Sequence, residues 1–242
     1  MREASEIQWT PEQVSAFWDY QSKRPSAEQN YFSISHGAQI AKRTVGRLSR
    51  GGTPSVLDFG CGTGHFLQQL ARFRPGIVLQ GIDFSAESIA RSRKTLETVE
   101  PAPRLHLVDG YPTSPPADSF DAIYMIEVVE HLSDAMLDSM VAEACRLLKK
   151  DGLLIVTTPN REDLELLHTC CPNCAATFHI WQHVRSWSST SLGMYMATHE
   201  LSEMQVTETL LEPGPVRLFF WIARKLGLVK RRAPHLLGIY RK

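Results

Sequence analysis

Nowhere in these 242 residues does an apolar run approach the ~18 that a membrane-spanning helix needs. Net charge is missing too, because 26 Lys and Arg offset 26 Asp and Glu. A balanced chain sets up no global field to draw in nucleic acid or an anionic membrane. There is no internal repeat and no low-complexity tract, and Met1-Arg2-Glu3-Ala4-Ser5-Glu6 is polar where a signal peptide carries an apolar core. Cysteines are few: five, an odd count, with Cys170, Cys171 and Cys174 crowded together. That pattern suits reduced thiols or a metal better than a disulfide framework, and with the polar start it leads to the expectation of a cytoplasmic protein. The length fits one α/β domain with decorations, large enough to bury a sizeable core.

What is present begins with helix signals. Thr10-Pro11-Glu12 reads as a cap followed by proline in the first turn, with Val14, Phe17 and Trp18 on one face. A second helix is expected over Ala38–Leu48, and Gly51-Gly52 then breaks the chain. Residues 1–50 therefore read as a helical cap on a domain spanning 51–242. Strands are expected at Val56–Phe59, Val78–Asp83, Leu105–Val108, Ala122–Ile126 and Leu153–Thr157. Helices are expected at Phe66–Phe73, Ala86–Leu96 and Ala135–Leu148. Such alternation implies a doubly wound, mainly parallel sheet. Gln205–Leu210 and Leu236–Tyr240 read as two further strands, with residues 161–200 as an insertion before them that forms part of an active-site lid.

The densest chemistry lies in Val56-Leu57-Asp58-Phe59-Gly60-Cys61-Gly62-Thr63-Gly64. An apolar run ends in an acid, three glycines follow at alternate positions, and a helical pattern begins. This is a strand–loop–helix turn of the kind that holds a nucleotide-like cofactor against bare main chain. A dinucleotide fingerprint needs its third glycine at position 65, which is His65; here the glycine is Gly64. The leading acid with Gly-x-Gly-x-Gly instead resembles motif I of the class I S-adenosylmethionine (SAM) dependent methyltransferases. Asp83 at the end of the second strand, Asp109-Gly110 after the third and Phe120-Asp121 at the fourth continue the resemblance over roughly residues 50–160.

The resemblance implies a seven-stranded sheet with an antiparallel edge pair, and SAM as cofactor. Asp58, above Gly60, Cys61, Gly62 and Gly64, would orient the methionine end. Asp83 with Phe84 would hold the ribose, and Asp109 with Gly110 the adenine amino group. The plainer alternatives stay open: Asp83 can cap the helix near Ala86, a job Ser85 could do instead, and Asp109 can be a turn residue before glycine.

The fourth strand runs into Ile126-Glu127-Val128-Val129-Glu130-His131-Leu132, at the carboxyl edge where ligands bind. His131 is the candidate general base, or else only a wall residue, with Glu127 and Glu130 beside it and Glu127 also near the cofactor. Glu-x-x-Glu-His resembles two branches of the family, the O-methyltransferases of ubiquinone biosynthesis and the small-RNA 3′-terminal 2′-O-methyltransferases. In the latter, two glutamates, this histidine and a later one hold a divalent metal; His183 in Gln182-His183-Val184-Arg185 resembles the later one. His183 also belongs to Cys171-x₂-Cys174-x₄-His179-x₃-His183, which has the ligand types of a structural zinc site, with His168 or Cys170 as substitutes. A buried thiol pair near Phe178 and Trp181 is the competing account.

Aromatic and basic residues over 217–232 suggest either peripheral membrane contact or a helix on the sheet edge. The leading expectation is a SAM-dependent methyltransferase acting on an oxygen of a small molecule or of a lipid- or sugar-linked acceptor. RNA 2′-O-methylation, which the neutral charge disfavours, and a SAM-binding partner subunit without chemistry are the alternatives.

Overall fold

The computed structural model describes residues 5–24, 31–48, 52–212 and 233–242. The 217–232 segment singled out for membrane contact lies outside them. Among the described residues no helix is long and apolar enough to cross a membrane.

Strands β2 (Ser55–Phe59), β3 (Val78–Asp83), β4 (Arg104–Leu107), β5 (Phe120–Ile126), β6 (Leu148–Pro159), β9 (Ser202–Thr209) and β10 (His235–Arg241) form one sheet in the order β4-β3-β2-β5-β6-β10-β9. The pairs from β4 to β6 are parallel, whereas β10 runs antiparallel to both β6 and β9. This is the expected architecture, edge pair included. The strand order reverses between β2 and β5, so the crevice for a ligand opens at their carboxyl ends.

Helices cover both faces, and β5 shows why its sequence is a continuous apolar run. Ile123 and Met125 join the core beneath α5 (Asp134–Leu147) and α6 (Ser189–Ala197). Ala122, Tyr124 and Ile126 join the core on the other face, under α2 (Phe32–Thr44) and α3 (His65–Phe73), with α4 (Ala86–Thr95) adjoining. A strand buried on both faces has no polar alternation to display. Truncating one such residue, Ile123→Ala for instance, costs about 2–5 kcal/mol.

Helix α1 (Pro11–Lys23) begins as its sequence predicts. The Thr10 hydroxyl accepts from Gln13 N–H, the Gln13 side chain accepts from Thr10 N–H, and Pro11 occupies the first turn. Helix α2 starts six residues before the expected Ala38, at Phe32, because Phe32 packs against the core and the helix needs no side-chain cap there.

The 161–200 stretch divides in two. Its first part carries a short hairpin, β7 (His168–Cys170) and β8 (Ala176–His179), which with β1 (Ser5–Glu6) makes a second, three-stranded sheet. Its second part is α6 with its flanks: Trp187, Leu192, Met196 and Leu201 are buried in the core, so that half belongs to the body of the domain. The small sheet ties the N-terminal segment to the hairpin across more than 160 residues of chain, a pairing that neither two-residue β1 nor the hairpin announces by itself.

Candidate active site

The glycine loop sits at the switch point. Gly60, Gly62 and Gly64 have φ of 87°, 50° and 83°, in the left-handed region where a side chain is strained. A Cβ on Gly60 would come within 2.6 Å of Val128 Cγ2, so this glycine lets the loop from β2 approach the turn after β5. A Cβ on Gly62 would meet nothing within 4 Å, which leaves open room beside its backbone.

Asp58 and Asp83 flank this loop. Both are buried, at 1% and 8% exposure. Asp83 is firmly held: Gly62 N–H donates to Oδ2 and Ser85 N–H to Oδ1, each at 2.8 Å. The helix cap is Ser85, whose hydroxyl accepts from Ser88 N–H, so capping is not what Asp83 does. Asp58 is the opposite case, since its Oδ1 is buried with no hydrogen-bond partner. Burial, and then the charge of Asp83, push its carboxyl up to about 8. Burial also pushes Asp83 up to about 6 against the pull of its N–H donors. Two buried acids, one without a partner, form a site that favours a cationic group.

Phe84 is half-buried beside Asp83. Asp109 and Gly110 are exposed on the loop after β4, anchored where Val108 N–H donates to Asp83 O at 2.9 Å. Cys61 is buried below the loop; its N–H donates to Ile82 O, and burial raises its thiol.

On the other side of the crevice the chain leaves β5 through Glu127, whose φ of 52° is unusual outside glycine. Glu127 N–H donates to Thr157 O at 3.0 Å, which pins this turn to β6. Glu127 Oε1 is buried without a partner, and Oε2 lies 3.9 Å from His235 Nδ1. Glu130 accepts from the Thr158 hydroxyl at 3.0 Å through Oε2; its Oε1, unpartnered, faces His131 Nε2 at 3.8 Å. Burial drives both glutamates well above the ordinary carboxyl range, and Glu127 adds to the rise at Glu130. Burial, with the neighbouring His183, lowers His131 to about 3, so its imidazole is neutral.

A roof from distant segments closes over His131. Trp18 of α1 meets its ring edge-on at 4.8 Å, and Trp18 Nε1–H donates to Gln182 Oε1 at 3.0 Å. Gln182 Nε2–H in turn donates to His131 O at 2.6 Å. His183 approaches His131 with ring centroids 4.8 Å apart. A second wall beside Glu127 comprises His235, Phe32 and His36, the rings of Phe32 and His235 being 4.8 Å apart. Sequence reading did not assign Gln182, Glu162, His235 or Phe32 to the site. Trp18 was visible only as part of an apolar helix face.

Glu130, His131 and His183 present ligand-type atoms within 4.8 Å of one another; so do Glu162, His179 and His183. Glu127 belongs to neither group. Nor does a cysteine, among the described residues. Cys171 and Cys174 sit at the turn of the β7–β8 hairpin, and Cys170 and Cys174 are exposed. Strand β8 carries the chain from Ala176, next to that turn, to His179 in three extended steps, a span on the order of 10 Å at ~3.3 Å per residue. The structure therefore does not bring Cys171, Cys174, His179 and His183 together as one tetrahedral set. His168 pairs with His179 across the hairpin without joining either group.

Against known proteins, the family described as "Methyltransferase domain" matches residues 26–204. A ubiquinone biosynthesis O-methyltransferase of Glaesserella parasuis is 30% identical over 135 residues, covering 51% of this chain and 51% of that protein. The chain thus spans about half the length of that relative. Among solved structures, an S-adenosylmethionine dependent methyltransferase from Mesorhizobium loti superposes with a TM-score of 0.60 at 17% identity, covering 85% of this chain and 99% of the other. The [4+2]-cyclase SpnF superposes at 0.69, also at 17% identity, covering 100% and 99%. At such identities the structural likeness establishes the fold, and a cyclase among the neighbours shows that this fold alone does not fix a reaction.

Proposed function

The chain belongs to the methyltransferase-domain family, and on that premise we propose that it is a SAM-dependent O-methyltransferase with His131 as general base. Its acceptor would be a small molecule or a lipid- or sugar-linked intermediate. The observation that carries this reading is the pairing of two half-sites at one sheet edge. The unpartnered carboxylate of Asp58 lies beside an open glycine loop, and a neutral imidazole, His131, lies across the crevice next to Glu130. The curated relative is named an O-methyltransferase, which favours oxygen as the acceptor atom.

The residues present fit SAM. Asp58 Oδ1 is the orphan acid its ammonium would satisfy, Gly62 leaves room for it, and Asp83 keeps lone pairs for both ribose hydroxyls. Bound there, SAM supplies an electrophilic methyl group on a sulfonium. The work left to the chain is alignment and proton removal. Alignment can contribute about 7–11 kcal/mol, here from the turn pinned by Thr157 and roofed by Trp18 and Gln182. His131 takes the acceptor's proton, and Glu130 Oε1, 3.8 Å from Nε2, lies beside the ring that receives it.

A second reading has one observation in its favour: the mutual proximity of Glu130, His131 and His183, a donor set suited to Mn²⁺, Co²⁺ or Zn²⁺ acting as a Lewis acid on the acceptor oxygen. The test is release of S-adenosylhomocysteine with catechols, phenols, sugars and RNA ends, each assayed with and without chelator. Turnover on a small acceptor that survives chelation supports the base reading. Turnover lost on chelation and restored by Mn²⁺ supports the metal reading. SAM binding with no turnover on any acceptor would leave a binding subunit.

A further inference from the structure

A second cluster of titratable side chains, Glu162, His179 and His183, lies in the segment over the acceptor side, and Glu162 and His179 have no part in the reading above. Glu162 Oε2 is 2.5 Å from His183 Nδ1, and Glu162 Oε1 is 3.6 Å from His179 Nε2. The two imidazoles stack at 4.5 Å with an 18° angle between planes. His179 Nδ1 accepts the backbone N–H groups of Trp181 and His183, each at 3.3 Å. A neutral His179 therefore carries its proton on Nε2, facing the carboxylate. With the Glu162 oxygen as acceptor, the 2.5 Å hydrogen bond puts the proton of His183 on Nδ1. Of the two nitrogens that face Glu162, His183 Nδ1 is hydrogen-bonded to it, whereas His179 Nε2 has no hydrogen-bond partner. The carboxylate is hydrogen-bonded to His183 and lies within ion-pair distance of His179.

This has a consequence for the site. In a neutral His183 whose Nδ1–H is committed to Glu162, Nε2 is the acceptor, in the ring that meets His131 at 4.8 Å. We propose that Glu162 is a positioning residue of the acceptor site: it fixes the tautomer and the rotation of His183, so that Nε2 is the atom offered beside Glu130 and His131. His179 stacks on the His183 ring, while the N–H of Val184 donates to Glu130 O at 2.9 Å and fixes the backbone next to His183. The role is that of the carboxylate which orients a functional histidine through its other nitrogen. It rests on the methyltransferase reading only for its effect on turnover.

Long-range ¹H–¹⁵N correlation of the histidine rings in the full chain tests the proposal directly and needs no acceptor. The wild type is expected to show His183 as the Nδ1–H tautomer, assigned by its loss in His183→Asn, and Glu162→Gln to shift it towards Nε2–H or a mixture. Glu162→Gln is then expected to lower kcat about 10- to 100-fold, with KM and the Kd for SAM within about twofold. Glu162→Asp, which keeps the charge, recovers part of the loss. An Nε2–H tautomer in the wild type, or one unmoved by Glu162→Gln, overturns the proposal whatever the activity. So does a kcat that survives Glu162→Gln, or a loss confined to KM and thermal stability, which would mark Glu162 as a tie for its segment. Should the wild type release no S-adenosylhomocysteine with any acceptor, the methyltransferase reading fails and the ring spectra still decide what Glu162 does to His183.

Discussion

The two sides of the crevice are built on different plans. The Asp58–Asp83 side is made by one strand–loop–helix–strand unit, within 26 residues of continuous chain, and its fixed contacts are backbone N–H groups. The Glu127–His131 side draws on α1, the end of β6, the hairpin segment and β10, and is held by side chains such as Trp18, Gln182, Thr158 and His235. A local unit is set by loop geometry and leaves little freedom for variation. An assembled site can change one contributing segment and keep the rest, so the acceptor side is where related chains of this fold can diverge in substrate.

That contrast breaks if the two sides fail to separate in function. The largest expected effect is at the assembled side: His131→Asn should lower kcat about 10²- to 10⁴-fold. Isothermal titration should show SAM affinity unchanged, and an equal loss of affinity would make the two sides one site. Next comes the local side. Asp58→Asn removes a charge-assisted partner worth about 1.5–3 kcal/mol and should weaken SAM roughly 10- to 100-fold, while any remaining turnover at saturating SAM is near normal.

Gly60→Ala sharpens the same point through the backbone. At φ 87°, with a contact of 2.6 Å to Val128, alanine should destabilise by about 1–3 kcal/mol, read as a lower Tm. Val128→Ala in the same chain should relieve the clash and leave the backbone strain, so rescue is partial. On the assembled side, Trp18→Phe keeps an aromatic ring and deletes the donor to Gln182. It should raise KM for the acceptor about three- to tenfold with SAM affinity intact.

A last separation of the two sides is a pH dependence. In the cofactor-free protein the Asp58 carboxyl is raised to about 8 from an unfolded value near 4. The native state therefore binds the extra proton, and stability falls as pH rises through that window. Thermal melts from pH 5 to pH 8 should fall more steeply for the wild type than for Asp58→Asn. Because a cation favours the ionised acid, SAM affinity should rise over the same range; a flat profile would separate Asp58 from the ammonium.

The sequence by itself determined the core of this protein. Apolar runs marked β2, β5 and β6 as strands, and Thr10-Pro11 marked the start of α1. Gly60, Gly62 and Gly64 marked the loop, because only a chain able to take positive φ makes that turn. Asp58, Asp83 and the Glu127–His131 turn were legible for the same reason: each follows directly on a strand end, and strand ends define the ligand edge. Tertiary structure alone decided the roof. Glu162 and His183 stand 21 residues apart and Trp18 and Gln182 stand 164 apart, and no periodicity links partners across such distances. It also decided that the extended strand β8 holds the cysteine turn away from His179. A C-x₂-C-x₄-H-x₃-H spacing counts residues, but whether ligands converge depends on whether the chain between them folds back or stays extended.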